Sequence, residues 1–238
     1  MIEVDDLTVR FGGVVSLDGM TVTLPTEACG LIGPNGAGKT TFFNVLSGFV
    51  TPARGRVIVD GIDLFSMPHF KRARWGVRRT FQTEQAIESL TLYENVLMVH
   101  ENSAASRANP REAVMDALDL IGLAAEAETK VGAFGARERR YVEVARAIVG
   151  RPKLVLLDEP AAGLPEEETT QLGNVIRQIP ERTGATVILV DHDMSLVQYC
   201  CTTTAVLDFG RLLASGRTAD VLRDPNVMAA YLGSEDVE

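Results

Sequence analysis

The chain has 238 residues, 46% of them hydrophobic, with a formal net charge of −9 and a pI of about 5.0. This length and composition suffice for one large α/β domain, and the acidic balance argues against nucleic acid as a partner. No apolar run approaches the roughly 20 residues of a membrane-spanning helix, and Asp5, Asp6 and Arg10 interrupt the N-terminus, which argues against a signal peptide.

The N-terminal part of the chain predicts antiparallel strands. Residues 2–24 alternate apolar and polar side chains around a turn at Gly12-Gly13. Residues 55–65 predict a second hairpin, which turns at Asp60-Gly61. We therefore expect an N-terminal antiparallel β-subdomain.

A glycine-rich segment between these hairpins fits the pattern G-x-x-x-x-G-K-[ST] at every position. An apolar strand, Cys29 to Ile32, leads into the segment, and a helix from Lys39 to Leu46 leaves it, which is the context this motif needs. Inward-pointing N–H groups and the helix N-terminus suit a polyphosphate. We expect Lys39 to contact the β- and γ-phosphates and Thr40 to hold Mg²⁺. The residues predicted to bind ATP in this segment are Gly33, Pro34, Asn35, Gly36, Ala37, Gly38, Lys39, Thr40 and Thr41.

Residues 66–130 are helix-rich and polar. A helix begins at Pro110, because Asn109 can cap it and Glu112 stands at the capping-box position. Basic residues precede Gln82 in this region, and we interpret them as a solvated face or a subunit contact. They are Lys71, Arg72, Arg74, Arg78 and Arg79.

The C-terminal part alternates helices with short apolar strands. The runs Lys153 to Leu157 and Thr186 to Val190 are continuous, as in buried parallel strands. The three cysteines, Cys29, Cys200 and Cys201, lack zinc-site spacing, so we expect reduced thiols.

Side chains suited to hydrolysis follow these strands. We assign Asp158 to Mg²⁺ and Glu159 to a water that attacks the γ-phosphate; the alternative is a strand end with two solvated acids. His192 could bond the γ-phosphate or orient that water, although a lone histidine here would be structural. Gln82 could contact Mg²⁺ or the water. Phe11 could stack on adenine, or it could be an ordinary half-buried strand aromatic.

In this order, the motifs resemble the ATP-binding subunit of an ATP-binding cassette (ABC) transporter over essentially all 238 residues. Shorter segments resemble the ATPases of the branched-chain (hydrophobic) amino acid importers, and the ATPase of lipopolysaccharide export has a similar ending. The segments are Arg10-Phe11-Gly12-Gly13, Arg79-Thr80-Phe81-Gln82, Leu90-Thr91-Leu92-Tyr93-Glu94-Asn95-Val96, Pro160-Ala161-Ala162-Gly163-Leu164 and Ala230-Tyr231-Leu232-Gly233.

The resemblance implies an α/β fold: a P-loop NTPase core with a mostly parallel sheet flanked by helices, the antiparallel β-subdomain, and a helical subdomain. Residues 1–238 would form a single ABC ATPase domain. Within it, residues 1–80 and 150–238 would form the RecA-like core with the β-subdomain, and residues 83–149 the helical subdomain.

The resemblance also implies an ATPase with ATP and Mg²⁺ that energises an importer of branched-chain or other hydrophobic amino acids. Its partners would be a second ABC ATPase subunit, two membrane-spanning permease subunits and, indirectly, an extracytoplasmic solute-binding protein. It would lie at the cytoplasmic face of the membrane. The alternatives are another ABC system (lipopolysaccharide-export-like, urea, amide or other small-solute uptake), or a weakly hydrolysing half of a heterodimer.

One family motif is altered. The signature L-S-G-G-Q begins a helix and contacts the γ-phosphate bound by the partner subunit. Counting back without gaps from the helix places Gly135, Ala136, Arg137 and Glu138 in the motif, whereas an insertion would place Ala133-Phe134-Gly135 there. Neither register has a serine at the signature position. A heterodimer with one weaker site and a tolerated variant in two equivalent sites both remain open.

Overall fold

A computed structural model describes residues 1–104 and 109–232. Residues 105–108 of the predicted helical subdomain and residues 233–238 of the predicted core, including Gly233 of the family-like ending, lie outside the described residues. The strands, in chain order, are β1 (Ile2–Phe11), β2 (Val14–Leu24), β3 (Ala28–Ile32), β4 (Arg54–Val59), β5 (Ile62–Asp63), β6 (Val77–Arg79), β7 (Leu154–Asp158), β8 (Thr186–Val190), β9 (Thr203–Asp208) and β10 (Arg211–Arg217).

The strands form two sheets. The first has the order β2-β1-β4-β5 and is antiparallel throughout, with the predicted turns at residues 12–13 and 60–61. The second has the order β10-β9-β3-β8-β7-β6, and only its β9–β10 pair is antiparallel. The predicted fold class, a mostly parallel sheet with an antiparallel β-subdomain, is confirmed.

Side-chain caps begin the helices α3 and α4. Thr91 and Glu94 form a capping box at α3, and the Asn109 side chain accepts from the Glu112 N–H at α4. In the described part of the chain, no helix combines the length and apolar character needed to cross a membrane. The helices are α1 (Lys39–Ser47), α2 (His69–Trp75), α3 (Leu92–Glu101), α4 (Pro110–Leu120), α5 (Ala136–Ile148), α6 (Glu166–Thr183), α7 (Met194–Cys200), α8 (Thr218–Val221) and α9 (Pro225–Leu232).

The parallel sheet separates two hydrophobic clusters, because successive strand residues point to opposite faces. Val155 and Leu157 of β7 pack in the cluster that includes α3 to α7, whereas Leu154 and Leu156 pack in the cluster that includes α1 and the β-subdomain. Every residue of β3, β7 and β8 is buried. The carboxyl ends of these three parallel strands therefore meet at one edge, where ligands bind in open α/β sheets.

Candidate nucleotide site

The phosphate loop leaves β3 and enters α1 through glycines that no other residue could replace without strain. Gly33 has φ 149°, and a Cβ there would lie 2.0 Å from the Leu207 carbonyl oxygen. Gly38 has φ 107°, and its Cβ would lie 2.7 Å from the Ser16 carbonyl oxygen. No acidic residue stands in the first turn of α1. The positive end of this helix is thus available to an anion.

Lys39 folds back over this loop. Its Nζ donates to the carbonyl oxygens of Gly33 (2.5 Å) and Pro34 (2.9 Å). Burial lowers the pKa of Lys39, while the negative charges of Glu159 and Asp158 act in the opposite direction. The side chain is therefore a buried cation held inside the loop, where phosphate oxygens could replace the two carbonyls as its partners.

A cleft of about 270 Å³ lies against the loop. It brings together side chains from the loop and from segments distant in sequence. Gly33 and Pro34 are not among the described walls of this cleft. Their carbonyl oxygens accept hydrogen bonds from Lys39, which does line it. The described residues that line it are Ser16, Asn35, Gly36, Ala37, Gly38, Lys39, Thr40, Thr41, Gln82, Glu159, Val190 and His192.

Two of the predicted residues, Gln82 and His192, converge on the carboxylate of a third, Glu159. Oε1 of Glu159 accepts a hydrogen bond of 3.1 Å from Gln82 Nε2 and lies 3.3 Å from His192 Nε2. The Glu159 backbone has φ 49°, in the left-handed region that is uncommon for this residue type, and its N–H donates to the Val190 carbonyl at 2.8 Å. Such strain is typical of functional sites, where it sets the direction of a side chain.

Asp158, the other predicted acid, is buried and paired. Its Oδ2 accepts from Arg79 Nη2 at 2.7 Å, and Arg79 Nη1 donates to Asn44 Oδ1, also at 2.7 Å. The interpretation of the basic residues before Gln82 as a solvated face is therefore wrong for Arg79. It is also wrong for Arg72 and Arg78, which are buried; only the exposed Lys71 and Arg74 fit it.

The residues assigned to Mg²⁺ fit a site that the nucleotide would complete. Thr40 and Gln82 line the cleft, and the Gln82 amide oxygen is available because its nitrogen faces Glu159. Asp158 is not among the described walls of the cleft, and it keeps Oδ1, which Arg79 does not use. Within the described residues, no cluster of three or more His, Cys, Asp or Glu could hold a metal by itself. Mg²⁺ commonly takes one or two carboxylates together with substrate phosphates and waters, so a sparse donor set suits it.

The altered signature lies at the start of α5. Gly135 is the N-cap residue, and the helix continues without a break from Ala136 to Ile148. Glu138 accepts hydrogen bonds from Arg137 Nη2 (2.7 Å) and Nε (3.0 Å). Burial raises the pKa of Glu138, but these bonds and those from the backbone N–H groups of Glu138 and Gly135 outweigh it and lower the pKa. This helix N-terminus is therefore already occupied by a carboxylate of the same chain.

Phe11 lies apart from these groups. It ends β1 opposite Val14, is 52% exposed, and is not among the described residues that line the cleft. Its contact with adenine stays a prediction.

Sequence reasoning missed two residues that shape the site. Asp191 is buried, and its carboxylate accepts the N–H groups of Ala161 (3.3 Å) and Asp193 (3.0 Å), so it holds the loop after Glu159 against the end of β8. Burial raises the pKa of Asp191, and the hydrogen bonds from the backbone oppose this. The second missed residue is Arg79, which pairs with Asp158. In the sequence, the only sign of a role for Asp191 was its position between β8 and His192.

Comparison with protein-family models matches residues 17–162 to the family described as ABC transporter. Residues 211–237 match the family described as branched-chain amino acid ATP-binding cassette transporter.

Individual proteins are similar over nearly the whole chain. The high-affinity branched-chain amino acid transport ATP-binding protein BraF of Pseudomonas aeruginosa is 36% identical, with 98% of each chain covered. The corresponding protein LivG of Escherichia coli K12 is 35% identical, again with 98% of each covered. The crystal structure of the ADP conformation of MJ1267, an ATP-binding cassette of an ABC transporter, superposes with a TM-score of 0.86 at 26% identity and covers 98% of both chains.

Proposed function

The chain belongs to the ABC transporter family and is an ATP-binding, ATP-hydrolysing subunit, and from this we propose that it energises an importer of branched-chain or other hydrophobic amino acids. We choose this substrate class because the chain is similar, over 98% of its length, to two proteins named for branched-chain amino acid transport. The match of residues 211–237 to a family with the same description supports it.

In the proposed mechanism, positioning and charge provide the rate, and no covalent intermediate forms. The loop N–H groups and Lys39 hold the β- and γ-phosphates. Glu159 polarises the attacking water, and Gln82 and His192 keep its carboxylate in place through the contacts at 3.1 and 3.3 Å. Thr40, Asp158 and Gln82 would hold Mg²⁺, which when bound neutralises charge on the phosphates.

We propose that the second ATPase subunit is a different chain with an intact signature. The carboxylate of Glu138 lies at the start of α5, beside Gly135, and Arg137 Nη2 donates to it at 2.7 Å. An incoming γ-phosphate at this helix would meet a like charge at short range. A second copy of this chain would thus complete the nucleotide site poorly, whereas a partner with serine and glycine at these positions would complete it well.

Steady-state hydrolysis by the purified chain, alone and mixed with its partner, tests the heterodimer. We expect slow, non-cooperative hydrolysis by the chain alone and faster, cooperative hydrolysis with the partner. Vigorous cooperative hydrolysis by the chain alone would rule the heterodimer out.

We propose that the permease subunits contact a groove of about 460 Å³ beside α2 and β6. Phe49 and Phe70 line this groove and are 61% and 53% exposed, and the Phe81 ring lies 6.4 Å from that of Phe49. Exposed aromatic side chains around a concave surface are typical of protein interfaces. The groove adjoins Gln82, so its occupant could sense the nucleotide. This contact would place the chain at the cytoplasmic face of the membrane. The chain would not contact the solute-binding protein directly, because the permeases lie between them.

Transport by the complex tests the proposed function. With the permeases and the binding protein present, we expect uptake of leucine, isoleucine or valine that depends on ATP and is lost in Glu159→Gln. Uptake that proceeds at the wild-type rate with Glu159→Gln would show that this chain is a structural subunit.

A further inference from the structure

A second cavity of about 270 Å³ lies between the helices α3 to α5 and the C-terminal end of α6. It shares none of its described walls with the nucleotide cleft. Its apolar part consists of Ala117, Leu120 and Ile148, all buried. Cavities of about 150 Å³ hold benzene, and drug-sized ligands occupy about 300–1,000 Å³. The volume therefore suits a small metabolite.

The imidazole ring of His100 in α3 lines this cavity. It is fully buried, and neither ring nitrogen has a hydrogen-bond partner among the residues that the structure describes. A neutral imidazole has one donor and one acceptor, and leaving both unpaired away from water is unfavourable. A Cβ at position 150 would lie 3.2 Å from His100 Nδ1, so Gly150 leaves room for the ring. A polar ligand in the cavity would supply the missing partner.

Charges of both signs surround the opening. Glu112 and Asp116 stand four residues apart on α4 and so lie on one side of that helix. Arg151 and Arg182 approach from the segment after α5 and from the end of α6. Arg182 also contacts Asp119 at 3.3 Å, but this pair is exposed and weak, and a guanidinium has further donors.

The backbone of Arg151 is strained. Its φ of 57° lies in the left-handed region, which a non-glycine residue adopts only when its surroundings impose it. A glycine at this position would relieve the strain, yet the chain has an arginine here, at the cavity wall. It is a further sign that the position of this side chain is specified.

We propose that the cavity binds a free α-amino acid with an apolar side chain. Its carboxylate would pair with Arg151 and Arg182 and accept a hydrogen bond from the His100 ring, its ammonium group would pair with Glu112 and Asp116, and its side chain would cover the apolar wall. Two acids and two arginines match a zwitterion, whereas a net anion or cation would leave one pair unmatched. The bound ligand would join α4 to the end of α6. The inference does not depend on which solute the complex transports.

Equilibrium dialysis of the purified full chain with radiolabelled leucine tests this site. We expect saturable binding of one leucine per chain, and about tenfold or weaker affinity for glutamate and for lysine. Arg151→Gln and Asp116→Asn should each weaken leucine binding about tenfold. Arg56→Gln is the matched control, because this exposed arginine pairs with Asp5 on the β-subdomain and its replacement should leave leucine binding unchanged.

Failure to bind leucine, isoleucine, valine or phenylalanine at millimolar concentrations, in protein that still binds ATP, would overturn the proposal. Equal affinity for leucine, glutamate and lysine would overturn the assignment of an apolar ligand side chain to the wall formed by Ala117, Leu120 and Ile148. Leucine binding that both cavity variants retain would place the ligand elsewhere. None of these results bears on hydrolysis at Glu159, so the proposed transport function is tested separately.

Discussion

Gln82 Nε2 donates a hydrogen bond of 3.1 Å to Oε1 of Glu159. This bond joins the segment after β6, beside the aromatic groove, to the acid that follows β7. A displacement of the groove can therefore reach the carboxylate that we assign to the attacking water without passing through the rest of the cleft.

Replacing that carboxylate by an amide tests its role. Glu159→Gln keeps the shape of the side chain but removes the base, so we expect the hydrolysis rate to fall by about 10²–10⁴-fold while ATP binding is retained. Glu181→Gln, an exposed acid of α6, is the control and should leave the rate unchanged. A Glu159→Gln rate within a few-fold of wild type would contradict the assignment.

Alanine substitutions at Gly33 and Gly36 test whether contact with Leu207 shapes the phosphate loop. In Gly33→Ala the new methyl would lie 2.0 Å from the Leu207 carbonyl oxygen, so the loop must move and ATP affinity should be lost. In Gly36→Ala no atom lies within 4 Å of the new Cβ, and the cost is only the strain of φ 77°, about 1–2 kcal/mol. Titration with a fluorescent ATP analogue compares them. Equal loss in both variants would show that contact with Leu207 does not shape the loop.

The pair of Arg79 with Asp158 should matter for stability. Both side chains are buried, at 8% and 5% exposed, so Arg79→Met leaves an uncompensated charge and should lower the free energy of unfolding by about 3–5 kcal/mol. Urea denaturation measures this. Arg56→Met removes an exposed pair and should cost at most about 1 kcal/mol. If the double variant Arg79→Met with Asp158→Asn were no more stable than Arg79→Met, the explanation by an unpaired charge would fail.

Because the cysteine thiols are buried, we expect the free energy of unfolding to depend on pH. Burial raises the pKa of Cys29 and of Cys200 to about 12, from 9.0 in the unfolded chain. Because the folded protein keeps these protons longer, their contribution to stability is complete below pH 9 and is lost as the pH rises from about 9 to 12. Replacing both cysteines with alanine should flatten the decline in unfolding free energy over this window. An unchanged slope would contradict the assignment.

The sequence was sufficient for the parts of the site that depend on local spacing. The phosphate loop, the acids after β7 and the histidine after β8 each follow a buried strand, and parallel strands end at one edge. The pairing of Arg79 with Asp158 could not be predicted, because it joins residues 79 positions apart and depends on burial of a guanidinium beside Phe43 and Phe81. Asp191 was missed because only its buried contact with the Ala161 N–H distinguishes it from a solvated acid.

The register of the altered signature could not be predicted from the sequence. The residues around Gly135 fit the signature motif in two registers. Only the structure shows a helix that is continuous from Ala136 and carries Glu138 in its first turn. Glu138 is close in sequence to the start of the helix, but Gly135 has no capping side chain that would mark this start.

Leucine uptake into proteoliposomes that contain this chain with the proposed partner ATPase and permeases, and with the proposed binding protein outside, tests whether the chain energises amino acid import. We predict uptake driven by internal ATP, with coupled hydrolysis, and loss of both in Glu159→Gln. Rapid ATP hydrolysis by the same complex without uptake of leucine, isoleucine, valine or another hydrophobic amino acid would rule out the proposed transport function.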